Sequence, residues 1–322
     1  MIYGMIESPI DERDWTPPVM MALLPKAIRT PHRASLRDQG EFGTCVAESM
    51  ASWVEANELR ERGVRITYSE GYVYGNRAET DHQGEGMIPR QMLMQNIRHG
   101  TVRRSMFSVR NNYTATRNEL RAHAGNLKDE GFPTRIRGFV RLMTMTDVYA
   151  YMMEHEVGIL VGCSVDSGFT RVGASGIIPA FTGPRLGGHM MYAPDIVSIA
   201  GTLRLALQNS WAGWGDGQRG YMDIATASGL EMWGPLPDDS SWYTEMPNEI
   251  ILTVPADHSK RHDFMWVDNR KVEMPVGPFY VENKLCTALR EPFEAMGAEV
   301  EWTRLADKSD VIRIRPRKGR TG

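Results

Sequence analysis

The sequence predicts an α+β fold of two lobes with a groove between them, followed by a small separate unit. Three observations support this prediction. Apolar residues recur at helical spacing in the first part of the chain, most clearly after Cys45, whereas short apolar runs bounded by glycine and proline dominate residues 158–225. A polar stretch at 255–263 then precedes a final segment that is too short for a large core of its own. A helical half packed on a stranded half is an α+β arrangement.

The composition is that of an ordinary globular protein. Of the 322 residues, 42% are apolar and 24% are charged, and the formal net charge is −3. This charge gives no reason to expect nucleic acid as a partner. No stretch approaches the roughly 20 apolar residues that cross a membrane, so we expect no membrane partner either. The start, MIYGMIESPIDERDW, lacks the basic region and apolar run of a signal peptide. We therefore expect synthesis in the cytoplasm, and incorporation into a virus particle or release by lysis stays open.

The cysteines do not indicate a structural disulfide framework or a zinc site. Cys45, Cys163 and Cys286 are odd in number and far apart in sequence. His258 and His262 have a spacing that suits two metal ligands, but no cysteine or carboxylate pair lies nearby in the sequence. We therefore expect no metal and no cofactor, and we expect Cys163 and Cys286 to be core residues.

The predicted elements follow in chain order. Residues 1–34 are rich in proline and lack periodicity, so they predict an extended N-terminal arm on the surface. A first helix begins at Cys45 and ends at Gly63, and a glycine turn at 84–86 leads into a helix that ends at Gly100. A further helix at 146–158 precedes four predicted strands, at 158–165, 189–201, 202–211 and 220–225. These elements belong to one domain, residues 35–254.

A linker at 255–263 leads to the C-terminal unit, residues 264–316. Its pattern predicts a strand pair at 264–274, a helix at 285–297, and strands at 298–303 and 310–316. The last residues, 317–322, form a basic tail that we expect to be solvated rather than to bind a polyanion.

The stretch DQGEFGTC, residues 38–45, indicates a reactive cysteine. A thiol in the first turn of a helix feels the positive end of the helix dipole, which favours the thiolate. Such a nucleophile needs donors for an oxyanion, and the Gln39 side chain and the Cys45 N–H are candidates. A buried structural thiol is the alternative for Cys45, and a plain surface loop residue is the alternative for Gln39.

Two later motifs offer a base and a group that orients it. His189 follows a double glycine at the start of a predicted strand, and Asn209 lies on the next strand. The amide oxygen of Asn209 can accept a hydrogen bond from one imidazole nitrogen and leave the other nitrogen for the thiol. Trp211 can screen that hydrogen bond from water.

Taken together, DQGEFGTC, GGH and NSWAGWG resemble the active-site motifs of papain-like cysteine peptidases, in the family's order. The likeness spans roughly residues 30–254. It implies a papain-like two-lobe fold, with the cysteine on a helical lobe and the histidine and asparagine on an antiparallel β-barrel-like lobe. It also implies hydrolysis of a polypeptide through a thioester. The catalytic residues implied are Cys45, His189, Asn209 and Gln39, and the substrate-binding residues are Gly86, Gly188 and Trp211.

The sequence departs from the family pattern in several places. Val46 replaces the aromatic residue that usually follows the nucleophile, and Ala212 replaces a glycine. The family's usual cysteine before the nucleophile is missing. Because no long propeptide precedes Cys45, we expect that activity does not depend on removing one and that another restraint exists.

The C-terminal unit resembles the stalk-like domain named after the N-terminal region of copper amine oxidases. The residues that carry the likeness are Leu289, Arg290, Phe293, Gly297, Ala298, Val300 and Trp302. The resemblance implies a small α/β attachment module without copper, and a structural protein partner that binds through residues 264–316.

Two other functions remain open from the sequence. The chain could be a structural or binding component of a larger assembly, such as a virus particle, that keeps the peptidase fold with little turnover. It could also be a cell-wall hydrolase that cleaves a peptide of peptidoglycan.

Overall fold

The computed structural model describes residues 3–9, 11, 27–78, 80–227 and 230–237, and five later strands. The chain divides into two units, Met1–Pro237 and Asp238–Gly322. The predicted linker at 255–263, helix at 285–297 and basic tail at 317–322 lie outside the described residues, as do Cys286 and both candidate metal ligands, His258 and His262. Within the described part of the chain, no helix has the length and apolar character needed to cross a membrane.

Four helices dominate the first part of the first unit. They are α1 (Cys45–Arg62), α2 (Glu70–Gly75), α3 (Pro89–His99) and α4 (Tyr113–Gly131). Helix α1 is central, because its residues from Cys45 to Glu58 are all buried. It ends at Gly63, whose φ of 67° lies in the left-handed region that glycine adopts without strain. The predicted start at Cys45 and the predicted ends at Gly63 and Gly100 are therefore confirmed.

An antiparallel sheet forms the second part of the first unit. Its strands are β1 (Ile28–Arg29), β2 (Ile136–Leu142), β3 (Ile159–Val165), β4 (Gly187–Ile199), β5 (Thr202–Gln208), β6 (Arg219–Asp223) and β7 (Glu231–Pro237). The order is β2-β7-β3-β4-β5-β6, with β1 added to β4. Three shorter helices accompany it: α5 (Met145–His155), α6 (Ser167–Thr170) and α7 (Ile224–Ala227). The predicted α+β class is confirmed.

The core lies where α1 packs against β4. It contains large side chains with almost no exposure, among them Trp53 on α1 and Tyr192 on β4. This packing sets the N-terminal end of α1 beside the start of β4. The two segments that carry Cys45 and His189 are thereby brought together.

The sequence did not predict α4 or β7. Helix α4 buries few apolar side chains among those described, chiefly Leu120 and Leu127, so its apolar stripe is thin. Strand β7 pairs with both β2 and β3 and is buried along nearly its whole length. Strands are predicted from the alternation of polar and apolar residues, and a strand buried on both faces lacks this alternation.

The second unit contains a five-stranded antiparallel sheet of order β10-β9-β8-β12-β11. The strands are β8 (Ile250–Val254), β9 (Phe264–Val267), β10 (Arg270–Glu273), β11 (Ala298–Arg304) and β12 (Asp310–Pro316). The predicted strand pair at 264–274 corresponds to β9 and β10, which pair from Phe264 with Glu273 to Val267 with Arg270. Residues 250–254, which we assigned to the first domain, pair here with β9 and β12.

Candidate active site

Cys45 is the first residue of α1 and is fully buried. The backbone N–H groups of Met190, Gly4 and Val46 lie near its sulfur and lower the pKa of the thiol. Met190 directly follows His189 on β4, so the sulfur lies beside the residue that the sequence predicted as its base. The two predicted residues, far apart in the chain, are thus neighbours in the fold.

His189 is also fully buried and is held on two sides. Its Nε2 lies 2.7 Å from Asn209 Oδ1, and the Trp211 ring stacks on the imidazole with centroids 4.2 Å apart and planes 29° apart. Asn209 Oδ1 also accepts the Ser210 N–H at 2.7 Å. Since that oxygen accepts from a second donor, the network assigns the ring proton to Nε2 and leaves Nδ1 as an acceptor. Nδ1 has no hydrogen-bond partner within the described residues.

Gln39 is buried, and its amide has a fixed orientation. Its Oε1 accepts from Ser210 Oγ at 2.7 Å and from Trp211 Nε1 at 3.2 Å, and its Nε2 donates to Phe42 O at 2.8 Å. The two residues that follow Asn209 therefore orient the amide that the sequence predicted as an oxyanion donor. The role of Ser210 was not predicted, although it lies inside the NSW motif.

Burial controls the charge state of the pair. It raises the pKa of the Cys45 thiol to about 11, although three backbone N–H groups at the sulfur lower it. It lowers the pKa of His189 to about 4, although the hydrogen bond with Asn209 raises it. At neutral pH this structure therefore holds a thiol and a neutral imidazole. The helix dipole at Cys45, which we expected to favour the thiolate, is outweighed here by desolvation.

The cleft is occupied by the chain's own N-terminal segment, residues 3–9. The Met5 N–H donates to Gly188 O at 3.1 Å, and Met5 is only 5% exposed. The sequence had predicted that residues 1–34 form an arm on the surface. Within that range, Gly4, Met5 and Ser8 are buried, and Glu7 and Pro9 are exposed. Backbone pairing and the Met5 side chain bind residues 3–9 in the groove.

The opposite wall of the cleft pairs with the same segment through Met87. The Met87 N–H donates to Gly4 O at 2.7 Å, and the Ile6 N–H donates to Met87 O at 3.0 Å. This is a parallel bridge between Met5 and Met87. Within this segment, the Gly4 N–H lies near the Cys45 sulfur and lowers the pKa of the thiol.

Three glycines allow this close approach. A Cβ at Gly4 would lie 2.0 Å from Gly43 O, one at Gly86 would lie 2.5 Å from Gly4 O, and one at Gly188 would lie 2.2 Å from Met5 O. The structure thus places both predicted substrate-binding glycines, Gly86 and Gly188, against the segment in the cleft. The backbone that pairs on the helical side is that of Met87 rather than Gly86. The third predicted residue, Trp211, contacts the Tyr3 ring edge-on with centroids 6.2 Å apart.

The far end of the segment is held by residues that the sequence did not identify. The Ser8 N–H donates to Glu231 Oε2 at 3.0 Å, and the Arg90 N–H donates to Ser8 Oγ at 3.0 Å. The Arg90 guanidinium also pairs with Asp11 at 3.2 Å. No local pattern could have found these contacts, because each joins the first residues to a distant element.

Comparison with known proteins gives the fold its name. No protein-family model matches the sequence, and no curated protein matches it. Solved structures do match. Xylellain, a cysteine protease from Xylella fastidiosa, is 16% identical over 73% of this chain and 96% of its own, with a TM-score of 0.62. The fold is that of the papain-like cysteine proteases.

Two further structures are similar. Procathepsin B S9 from Trypanosoma congolense is 16% identical over 74% of this chain and 87% of its own, with a TM-score of 0.56. The bromelain protease from Ananas comosus, in complex with the E64 inhibitor, is 18% identical over 67% of this chain and all of its own, with a TM-score of 0.52. The structural similarity establishes the papain-like fold, and at these identities it shows the fold alone.

A buried charge cluster lies beneath the site in this papain-like fold. The Arg37 guanidinium pairs with Glu48, Glu55 and Glu70 at 3.8, 3.4 and 3.1 Å. Glu48 follows Cys45 by one turn of α1, and burial raises its pKa. Arg65 also pairs with Glu55 at 3.5 Å and Arg104 with Glu70 at 3.1 Å, so Arg37 is the cation that the three carboxylates share rather than their sole partner.

The described part of the site offers no metal centre. No group of three or more histidine, cysteine, aspartate or glutamate residues with metal-binding geometry is found among the described residues. Cys45 and Cys163 are both free thiols, and Cys163 is buried on β3 opposite His189.

Proposed function

We propose that this protein is a cysteine peptidase that hydrolyses peptide bonds through a thioester. The observation that carries the proposal is the buried hydrogen bond between His189 Nε2 and Asn209 Oδ1, beside a cysteine at a helix N-terminus. This arrangement leaves the His189 Nδ1 lone pair available to the thiol, which is what an activated sulfur nucleophile requires.

In the proposed reaction, His189 Nδ1 accepts the thiol proton and Cys45 Sγ attacks the scissile carbonyl carbon. The Cys45 N–H and Gln39 Nε2 donate to the oxyanion. The imidazolium then gives its proton to the leaving amine as the C–N bond breaks, and a thioester remains. A water molecule that loses its proton to His189 hydrolyses the thioester and restores the thiol.

The N-terminal segment is the proposed restraint on this activity. While residues 3–9 cover the site, desolvation keeps both groups neutral and the sulfur faces an N–H of Gly4. Departure of the segment would admit water and lower the cost of forming the thiolate–imidazolium pair. An extended polypeptide would then pair with Met87 and Gly188 in its place.

The proposal is tested by labelling the full chain with a peptidyl epoxide that alkylates thiolates. We expect one label on Cys45, no label in Cys45→Ala, and turnover of a peptide library between pH 5 and pH 8 that is lost in the same variant. Purified peptidoglycan in a parallel assay tests the cell-wall substrate. Equal labelling of the two proteins would remove Cys45 as the nucleophile.

A structural role with little turnover is the second candidate, and the occupied cleft favours it. A component that never releases residues 3–9 would show no labelling and no cleavage at any pH from 5 to 8.

We also propose that the C-terminal unit attaches the peptidase to a structural protein. The support is the resemblance of residues 264–316 to stalk-like modules. Removal of residues 238–322, the whole second unit, should abolish binding to that structural protein and leave labelling of Cys45 intact. Retained association would contradict this role.

A further inference from the structure

The backbone of Met87, which we call the Met87 edge, pairs with residues 3–9 in the cleft. It lies on a loop whose conformation depends on contacts with the rest of the fold. Residues 80–88 contain no helix or strand beyond the single bridge at Met87. Gly84 and Gly86 have φ values of 93° and 102°. Because glycine has more conformational freedom than other residues, a short loop with two glycines depends on outside contacts to keep one conformation.

Tyr74 on α2 supplies the first contact. It is fully buried, and its hydroxyl accepts the Gly86 N–H at 3.0 Å and donates to Glu85 Oε2 at 2.9 Å. One side chain thus holds both the backbone and the side chain of adjacent loop residues.

Glu85 carries the connection on to α4. Its carboxylate accepts the N–H of Tyr113, the first residue of α4, at 3.0 Å through Oε1 and 3.2 Å through Oε2. A carboxylate at a helix N-terminus is favoured by the helix dipole. The loop is therefore tied to two helices through one glutamate.

Arg77 fixes the loop carbonyl groups. Its Nη1 donates to Gly84 O at 2.7 Å and to Gly86 O, and its guanidinium lies 3.5 Å from the centre of the Tyr113 ring. Both polar groups of the Gly86 backbone are thus bound from behind. On the other flank of Met87, the Ile88 N–H donates to Asp81 Oδ1 at 3.1 Å.

We propose that Tyr74, Arg77 and Glu85 are positioning residues that hold the Met87 N–H and C=O in place to pair with an extended peptide. They act through the loop and not on the reacting atoms. The inference rests on the proposed function and deepens it. It identifies the residues that make the site react faster with a reagent that binds as an extended peptide than with a small thiol reagent. The Met87 edge also binds the N-terminal segment, so loosening the loop weakens the binding of both residues 3–9 and an extended peptide.

The test compares two reagents on full-length Tyr74→Phe: a peptidyl epoxide, which needs the Met87 edge, and iodoacetamide, which does not. The N-terminal segment must leave before either reagent reacts, so the ratio of the two rate constants cancels that step. We expect the epoxide-to-iodoacetamide ratio to fall about tenfold, since the buried Gly86 N–H loses its acceptor. Tyr72→Phe is the matched control, because Tyr72 lies on the same helix and its hydroxyl does not bond to the loop; its ratio should not change.

A second readout does not depend on catalysis. Hydrogen exchange of the Met87 amide should become about tenfold faster in Tyr74→Phe and stay unchanged in Tyr72→Phe. If the wild-type chain takes no epoxide label, the proposed function fails, and the Met87 exchange still decides the positioning role.

Two results would overturn the inference: an unchanged epoxide-to-iodoacetamide ratio in Tyr74→Phe, or unchanged hydrogen exchange of the Met87 amide in that variant. Should Tyr74→Phe not fold, Glu85→Gln gives the same comparison. The expected fall in the epoxide-to-iodoacetamide ratio is smaller, because the amide oxygen can still accept the Tyr113 N–H.

Discussion

His189 and Asn209 share a buried hydrogen bond of 2.7 Å, with the Trp211 ring stacked on the imidazole. The bond joins the start of β4 to the residue after the end of β5. It can form because these strands are antiparallel neighbours, which brings residues 20 positions apart to the same end of the sheet. A buried bond of this kind holds the ring in one tautomer, and several predictions depend on it.

Asn209→Ala removes the acceptor that orients His189. We expect kcat/KM for a peptide substrate to fall roughly 10²-fold, because a misoriented ring no longer presents Nδ1 to the sulfur. Asn57→Ala is a suitable control, since Asn57 lies on α1 and bonds to Arg60 and Glu61. Wild-type kcat/KM in Asn209→Ala would contradict the orienting role.

Gly4→Ala should release the N-terminal segment. The new Cβ would lie 2.0 Å from Gly43 O, a backbone atom that cannot swing aside. We expect alkylation of Cys45 by iodoacetamide to become about tenfold faster or more, because an overlap of this kind costs at least 1–3 kcal/mol. Glu7→Ala, at an exposed position of the same segment, should leave the rate unchanged. Equal rates for Gly4→Ala and the wild-type chain would show that the segment does not restrain Cys45.

Acid should also favour release. Burial lowers the pKa of His189 to about 4 from its usual 6.5, so the exposed ring binds a proton more tightly than the buried one. The closed state is therefore fully stable above pH 6.5 and loses stability as the pH falls toward 4. The pKa of Glu231 is raised by burial, so its protonation favours the closed state as the pH falls from that raised value to the usual 4.5. This opposes the His189 effect, which alone therefore sets an upper bound on the opening.

Hydrogen exchange of the Ile6 amide, corrected for its intrinsic pH dependence, measures this opening. We expect roughly twentyfold more opening at pH 5 than at pH 7. The same increase in His189→Gln would assign the effect to another group.

Arg37→Met tests the charge cluster under the site. The substitution leaves Glu48, Glu55 and Glu70 buried without their shared cation, so we expect the free energy of unfolding to fall by about 3–5 kcal/mol. Burial raises the pKa of Glu48 and Arg37 lowers it, so the folded variant holds the Glu48 proton more tightly than the folded wild-type chain does. The loss should therefore be larger at pH 8 than at pH 6.

Urea unfolding at both pH values measures this loss. Arg171→Met is the control, because Arg171 is exposed and its guanidinium bonds to Ser167 at the surface; it should cost under about 1 kcal/mol. A similar loss of unfolding free energy in both variants would contradict the role of Arg37 as the cation that the three buried carboxylates share.

Much of the fold was predictable because its signals are local. Local patterns mark the start of α1 at Cys45, its end at Gly63 and the end of α3 before Gly100. They also mark β4, which carries His189, and β5, which ends one residue before Asn209 although the predicted strand ran to 211. Helix α4 and strand β7 were missed because one has a thin apolar stripe and the other is buried on both faces.

The amino-acid sequence by itself determined which reactive side chains are present, in what order, and on which local elements, since sulfur, imidazole and carboxamide chemistry requires those residue types. Only the tertiary structure decided that residues 3–9 fill the cleft, that Met87 rather than Gly86 pairs with them, and that Cys45 and His189 are both neutral there. The physical reason is that backbone hydrogen bonds and desolvation depend on which distant segments meet. A backbone N–H or C=O has the same chemistry in every residue except proline, so it leaves no mark in the sequence.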